Sequence, residues 1–155
     1  MTRRMWFALF TVLFAAVAVC VAADDPNLGT WKLDEAKSKI AAGLPKNTTV
    51  VYAAAGDSVK VTLDGVGADG KSSHSEWTGK YDGKDYPVTG DSSNDSRSIK
   101  QINAHTLEVT NKKDGKVTLT ARVEVSADGK SRTVTVTGTD AKGNKVTSTS
   151  VYNKQ

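Results

Sequence analysis

The feature that most constrains this chain is a repeated reversal: ADGK at 68–71 and again at 127–130, YDGK at 81–84 and KDGK at 113–116. Asp-Gly supplies the positive backbone angles of a tight hairpin, and the following Lys solvates the start of the next strand. A calcium loop would need converging oxygens in an Asp-x-Asp-x-Asp-Gly run with a later Glu, and the chain has no such run. The repeats therefore punctuate antiparallel strands rather than hold cations. Between them, short runs of Val, Thr and Leu recur about every ten to twelve residues, the rhythm of a β-meander. The expected strands are 48–55, 59–64, 73–81, 84–89, 97–103, 106–111, 116–125, 132–138 and 145–152, with 29–33 as a tenth at the start.

Alternation assigns the faces. Val117, Leu119, Ala121, Val123 and Val125 share one side of their strand, and Thr118, Thr120, Arg122 and Glu124 share the other. Val59, Val61 and Leu63, then Leu107 and Val109, then Val134 and Val136 repeat the pattern, so each strand has one wet face. Ser75, Trp77, Gly79 and Tyr81 form a mixed row in which Gly79 permits a bulge, a bend or a close approach. A meander of this many strands must close or fold into two layers, because a long open sheet exposes aggregation-prone edges. The expected fold is all-β: an up-and-down antiparallel barrel of about 8–10 strands. One short helix is expected after the first strand, at Asp34–Ile40, where Asp34 caps the start and Gly43 and Pro45 stop the run. An ordinary crossover turn is the alternative there.

Residues 1–23, MTRRMWFALFTVLFAAVAVCVAA, have the parts of a secretory signal: Arg3 and Arg4, an apolar stretch from Trp6 to Val19 that is short for a bilayer span, and small residues at Val21-Ala22-Ala23. Cleavage after Ala23 is expected; an uncleaved anchor or a lipid-modified Cys20 are the alternatives. All three Phe and the one Cys lie in this segment, so residues 24–155 can form no internal disulfide and must be held by burial and backbone pairing. These 132 residues (155 minus 23) suit a single domain. Without Arg3 and Arg4 the balance is 19 basic against 17 acidic residues, interspersed along the chain. Nothing in that pattern points to nucleic acid or to an anionic membrane, and no stable membrane insertion is expected after cleavage.

A search for catalytic groupings finds little. His74 and Glu76 lie on one side of a strand and could share a metal, but no third ligand is placed beside them, and His105 sits in a separate turn. There is no Gly-x-Ser-x-Gly elbow, and a thiol nucleophile is absent from 24–155. Asp91–Asp95 reads as a polar connection. Asn47-Thr48-Thr49 and Asn94-Asp95-Ser96 match a glycosylation triplet. No catalytic residue, metal site or cofactor is expected.

With Gly29-x-Trp31 at the start, the meander, and Val151-Tyr152-x-Lys154 at the end, the chain resembles the lipocalin and fatty-acid-binding (calycin) superfamily. It is also similar to small exported bacterial proteins that carry an AKSK segment, here 36–39, and a YDGKDYPVTG segment, here 81–90. The superfamily resemblance implies that Trp31 closes the barrel floor and that the barrel encloses a small apolar ligand. In the fatty-acid-binding branch, inward-facing Arg and Tyr on the last strands read a carboxylate. Tyr152 fits that pattern; the position two before it is Ser150, and the other candidate, Arg122, falls on the polar face.

The resulting expectation is an exported, periplasmic or extracellular, monomeric, non-catalytic binder of a small hydrophobic or amphipathic molecule. Trp31, Trp77, Tyr81 and Tyr152 are the candidate ligand-binding residues. The alternative is a cell-envelope structural or protein-interaction module with a filled core. Intact-mass measurement of the exported protein should give a chain beginning at Asp24; a mass that retains Phe7 to Phe14 would rule out cleavage.

Overall fold

The structure, a computed structural model, describes residues 25–139 and 142–155; the expected leader and Cys20 lie outside these residues. Ten strands follow one another: β1 (Gly29–Lys39), β2 (Lys46–Ala55), β3 (Ser58–Val66), β4 (Ser72–Gly79), β5 (Tyr86–Thr89), β6 (Ser96–Asn103), β7 (Thr106–Lys113), β8 (Lys116–Val125), β9 (Ser131–Thr139) and β10 (Lys145–Lys154). Each pairs antiparallel with its neighbours in sequence, and β10 returns to β1, so the sheet closes into an up-and-down barrel. Closure leaves no free edge. All ten expected strands are present, with shifted ends.

The Asp-Gly turns act as expected. Lys113 and Lys116 face each other across a two-residue reversal in which Asp114 (φ 50°) and Gly115 (φ 74°) are both left-handed. In the other three repeats the carboxylates of Asp69, Asp82 and Asp128 accept the N–H two residues on, from Lys71, Lys84 and Lys130, at 3.1, 3.0 and 3.0 Å. Each Asp thus braces its own turn.

Inward-facing Trp31, Val50, Tyr52, Val61, Trp77, Ile99, Leu107, Val123 and Tyr152 form one buried cluster. Arg122 points outward, as its place in the alternation requires, and pairs with Glu124 at 3.0 Å. Gly79 serves a close approach: a Cβ there would lie 2.6 Å from both Trp77 and Tyr86, whose rings meet edge to face at 5.8 Å. The wall is thinnest at β5, which makes two residue pairs with β4 and two with β6.

Two expectations fail, for local reasons. No helix forms among the described residues, and Asp34 to Lys39 belong to β1. The capping signal is nevertheless used: the Asp34 carboxylate accepts the Lys37 N–H at 3.2 Å, the bond an N-cap would make. The turn does not propagate, because Ser38 accepts the Val151 N–H at 2.9 Å and returns the chain to β10. Asp34 pairs with Val151 and Lys39 with Thr149, so five steps on β1 oppose two on β10 and the surplus forms a bulge. The second failure is Val117, assigned to the inner face but 58% exposed. Asn111 pairs with Leu119 and Lys112 with Val117, so Thr118 is a bulged residue and the phase of β8 reverses there.

A different glycine tests the tightness of the wall. A Cβ on Gly65 would lie 2.1 Å from the Lys46 carbonyl oxygen and 2.7 Å from the Asn47 Cα, backbone atoms beside the β2 bulge that cannot swing aside. Gly65→Ala should lower unfolding free energy by about 1–3 kcal/mol in urea titration. Gly56→Ala, which meets no atom within 4 Å but keeps φ at 65°, should cost about 1 kcal/mol. Because Gly65 does not have a left-handed φ, a cost for Gly65→Ala no larger than that for Gly56→Ala would mean that the wall yields to the added Cβ.

Candidate functional site

In an up-and-down barrel alternate hairpins fall at opposite ends, and here the two ends differ. The first is sealed: residues 25–28 turn beneath the strands, with the Leu28 N–H bonded to the Asp25 carbonyl at 3.1 Å, and Asn27 is completely buried. Trp31 is also fully buried and donates its indole N–H to the Asn27 carbonyl at 2.8 Å. Lys154 donates to the Pro26 carbonyl at 3.2 Å and lies 5.2 Å from the Trp31 ring centre. The two terminal motifs, Gly29-x-Trp31 and Val151-Tyr152-x-Lys154, therefore meet in one contact. At the other end, the β1–β2, β3–β4 and β5–β6 loops frame the mouth of a cavity of about 540 Å³, a size within the range of small-molecule sites.

The cavity wall combines apolar strand residues such as Val50, Val61 and Ala121 with Ser75, Ser148 and Ser150 and two arginines. Arg132, the second residue of β9, is 3% exposed. Its guanidinium carbon lies 4.8 Å from the Trp31 ring centre and 5.0 Å from those of Tyr52 and Tyr152. Three aromatic faces thus surround one cation, each able to contribute about 0.5–2 kcal/mol. Its Nε and Nη1 have no hydrogen-bond partner. Burial pushes its pKa below the ordinary arginine value, with the Tyr52 and Tyr152 phenols opposing the shift; an arginine stays charged under such perturbation. The outcome is a desolvated positive charge with unused donors beside an internal cavity.

Arg97, on β6, is 6% exposed and also lines the cavity. Its Nε donates to the Asn111 side-chain oxygen at 2.7 Å, and its carbonyl accepts the Trp77 indole N–H at 2.9 Å. Asn111 in turn accepts, at its carbonyl, the Thr118 hydroxyl at 3.2 Å. Thr118 reaches this position because the β8 bulge turns it inward, and its single hydroxyl proton is shared between that carbonyl and the Asn94 side-chain oxygen of the mouth loop. Burial lowers the Arg97 pKa as well, opposed by Tyr52 and Asp91.

Of the four residues expected at the site, Tyr152 lines the cavity. Its hydroxyl donates to the Asn47 carbonyl at 2.9 Å, and burial holds its phenol above the usual range. Trp31 stands behind Arg132 as part of the floor. Trp77 is fully buried, but its indole N–H and ring are engaged by Arg97 and Tyr86, and it is not among the cavity-lining residues. Tyr81 follows β4 outside the cavity; its hydroxyl is buried without a hydrogen-bond partner, and burial pushes its pKa up. The structure thus brings Trp31 and Tyr152 together and leaves Trp77 and Tyr81 in the packing.

At the rim, the His74 ring nitrogen Nδ1 lies 2.6 Å from Asp64, and Nε2 lies 3.8 Å from Glu76. Among the described residues no three His, Cys, Asp or Glu side chains gather as metal ligands. Asn94 of the glycosylation triplet is 8% exposed, with its amide nitrogen donated to Asp91 at 2.7 Å. No protein-family model and no curated protein matches the chain.

A buried guanidinium with two unpartnered nitrogens makes a counterintuitive stability prediction. Taking a charge out of water costs several kcal/mol, and two of the Arg132 nitrogens return no hydrogen bond against that cost. Arg132→Met, which keeps length and apolar contact, should stabilise the ligand-free protein by about 1–3 kcal/mol in chemical denaturation. A loss of stability would show that the aromatic cage outweighs desolvation.

Proposed function

We propose that this protein is an exported, non-catalytic binding protein for a small amphipathic molecule, built on a lipocalin-like barrel, with the ligand's acidic end held by Arg132 and its apolar part along the strand walls. The observation that carries this reading is the buried Arg132 guanidinium, two of whose nitrogens have no partner, beside a cavity of about 540 Å³. A desolvated donor retained without a counter-charge costs stability unless a partner supplies the missing acceptors. The Lys154 contact to Trp31 and Pro26 supports the superfamily resemblance, since it joins the two motifs on which that resemblance rests. The cavity favours a binding role over a module with a filled core. The outer wall, with exposed Lys100, Glu108, Thr120 and Glu124, suits an aqueous compartment such as the periplasm.

Apolar burial supplies affinity along the walls, at roughly 25 cal/mol per Å² removed from water, and the guanidinium fixes orientation. Decanoate titrated into the protein should give a saturable, single-site change in Trp fluorescence, because Trp31 lies against Arg132. Decanol should bind at least tenfold more weakly, and Arg132→Met should weaken decanoate by roughly ten- to a hundredfold, the loss of a charge-assisted hydrogen bond. No saturable response to either compound, or undiminished decanoate binding by the variant, would defeat the reading.

A further inference from the structure

The interior holds two positive charges. Arg97 and Arg132 are the only ionic side chains among the buried polar residues described, which otherwise comprise Asn, Ser and Thr. Asn111 gives Arg97 an acceptor but no charge, and the bond uses Nε, so the outer edge of that guanidinium is not consumed by it. The carboxylate whose field reaches Arg97 is Asp91 in the mouth loop, and its oxygens already accept from the Ser93 N–H at 2.8 Å and the Asn94 side chain at 2.7 Å. The Tyr52 ring, which lines the cavity, lies 5.0 Å from the Arg132 guanidinium carbon.

Their levels in the barrel differ. Arg132 opens β9 beside the sealed floor, whereas Arg97 pairs with Asn111, which pairs with Leu119, which pairs with Gly138 at the far end of β9. Arg97 is therefore held nearer the mouth, fixed at its backbone by Trp77 and at its side chain by Asn111. One singly charged head at Arg132 would leave the second guanidinium desolvated, with the field of Asp91 but, among the described residues, no carboxylate in ion-pair contact, a costly arrangement in a low-dielectric interior.

We infer that the ligand is doubly anionic, with one negative charge answered by Arg132 and the second by Arg97. This rests on the reading of the cavity as a binding site and adds a charge count to it. Two chemistries supply that count: one dianionic head such as a phosphate monoester, or an acidic group at each end of a short chain.

Decyl phosphate and decyl sulfate, each kept below its micelle concentration, separate the charge count from shape. They share tail and tetrahedral head, but the phosphate loses its second proton near pH 6 while the sulfate stays singly charged. Decanedioate against decanoate makes the same comparison for charges at opposite ends. At pH 7.5 at least one dianion should bind tenfold or more tightly than its monoanionic partner. A phosphate preference should fall below threefold at pH 5. Arg97→Gln should erase the preference, and Arg97→Lys, which keeps the charge, should restore much of it. Preference for the phosphate places both charges on one head, and preference for the diacid places them at the two ends; either supports the inference. Equal binding within both pairs overturns it while saturable decanoate binding still stands, as does a preference that survives Arg97→Gln. If Arg97→Gln does not fold, the pH dependence of the native protein's phosphate-to-sulfate ratio decides the matter for the phosphate, and the native protein's preference for decanedioate over its monomethyl ester decides it for the diacid.

Discussion

A single desolvated guanidinium ties the interior of this barrel to its closure. The aromatic faces around Arg132 come from β1, β2 and β10, and Arg132 itself opens β9. These four strands meet at the seam where the last strand returns to the first: Arg132 pairs with Tyr152, Tyr152 with Leu33, and Gly29 with Tyr52. The cage therefore exists only when the seam is closed, a pairing across nearly the whole described chain and the most expensive in loop entropy. Trp31 binds the two problems together. One cation packs 4.8 Å from its ring centre and another 5.2 Å from it, while its indole N–H fastens the turn beneath the floor. Closure, floor and charge are one construction.

Most of the fold was legible because hairpin chemistry and alternation are local signals. Asp114-Gly115 needs no distant partner to specify its reversal, and parity along β8 needs only the pleat; Ala121, Val123 and Val125 follow it inward. The departures occur where a distant strand intervenes. Asp34 does make the cap bond of a helix, but the Ser38 hydroxyl, bonded across to Val151, keeps the segment in the sheet. Tertiary pairing overrode a weak helical preference over a few residues. At Thr118, the extra residue of the bulge is set by how β7 and β8 register, which no pattern within β8 alone reveals.

The site was less legible, and the reason lies in where parity was applied. The same alternation that sends Arg122 to solvent puts Arg132 in phase with Val134 and Val136, and Arg97 in phase with Ile99. Both arginines could be read as inward from the strand pattern. The superfamily resemblance points instead to the positions flanking Tyr152, where it implies an arginine and the chain has Ser150. What no pattern supplies is the pairing state: whether an inward arginine meets a carboxylate depends on barrel register and on side chains from several strands. Asn111 beside Arg97, and aromatic rings beside Arg132, are products of that register.

The interior also explains why a barrel without Phe in its described residues encloses space. The inner face of β10 carries Ser148 and Ser150 before Tyr152, and β8 and β4 contribute Ala121 and Ser75, both small. Ten strands fix the radius; small residues fail to fill it. The bulky side chains concentrate at the floor around Arg132, and Leu44 reaches in from the β1–β2 loop toward Gly138. Under the proposed binding role, a cavity shaped this way discriminates by what it leaves unmet. A purely apolar molecule gains burial along the walls but keeps buried donors unpaired, and a site built to hydrogen-bond its ligand rejects analogues lacking the acceptor far more strongly than it rejects a change in length. Under the proposed binding role, selectivity is set by charge at Arg132 and Arg97, with tail length secondary.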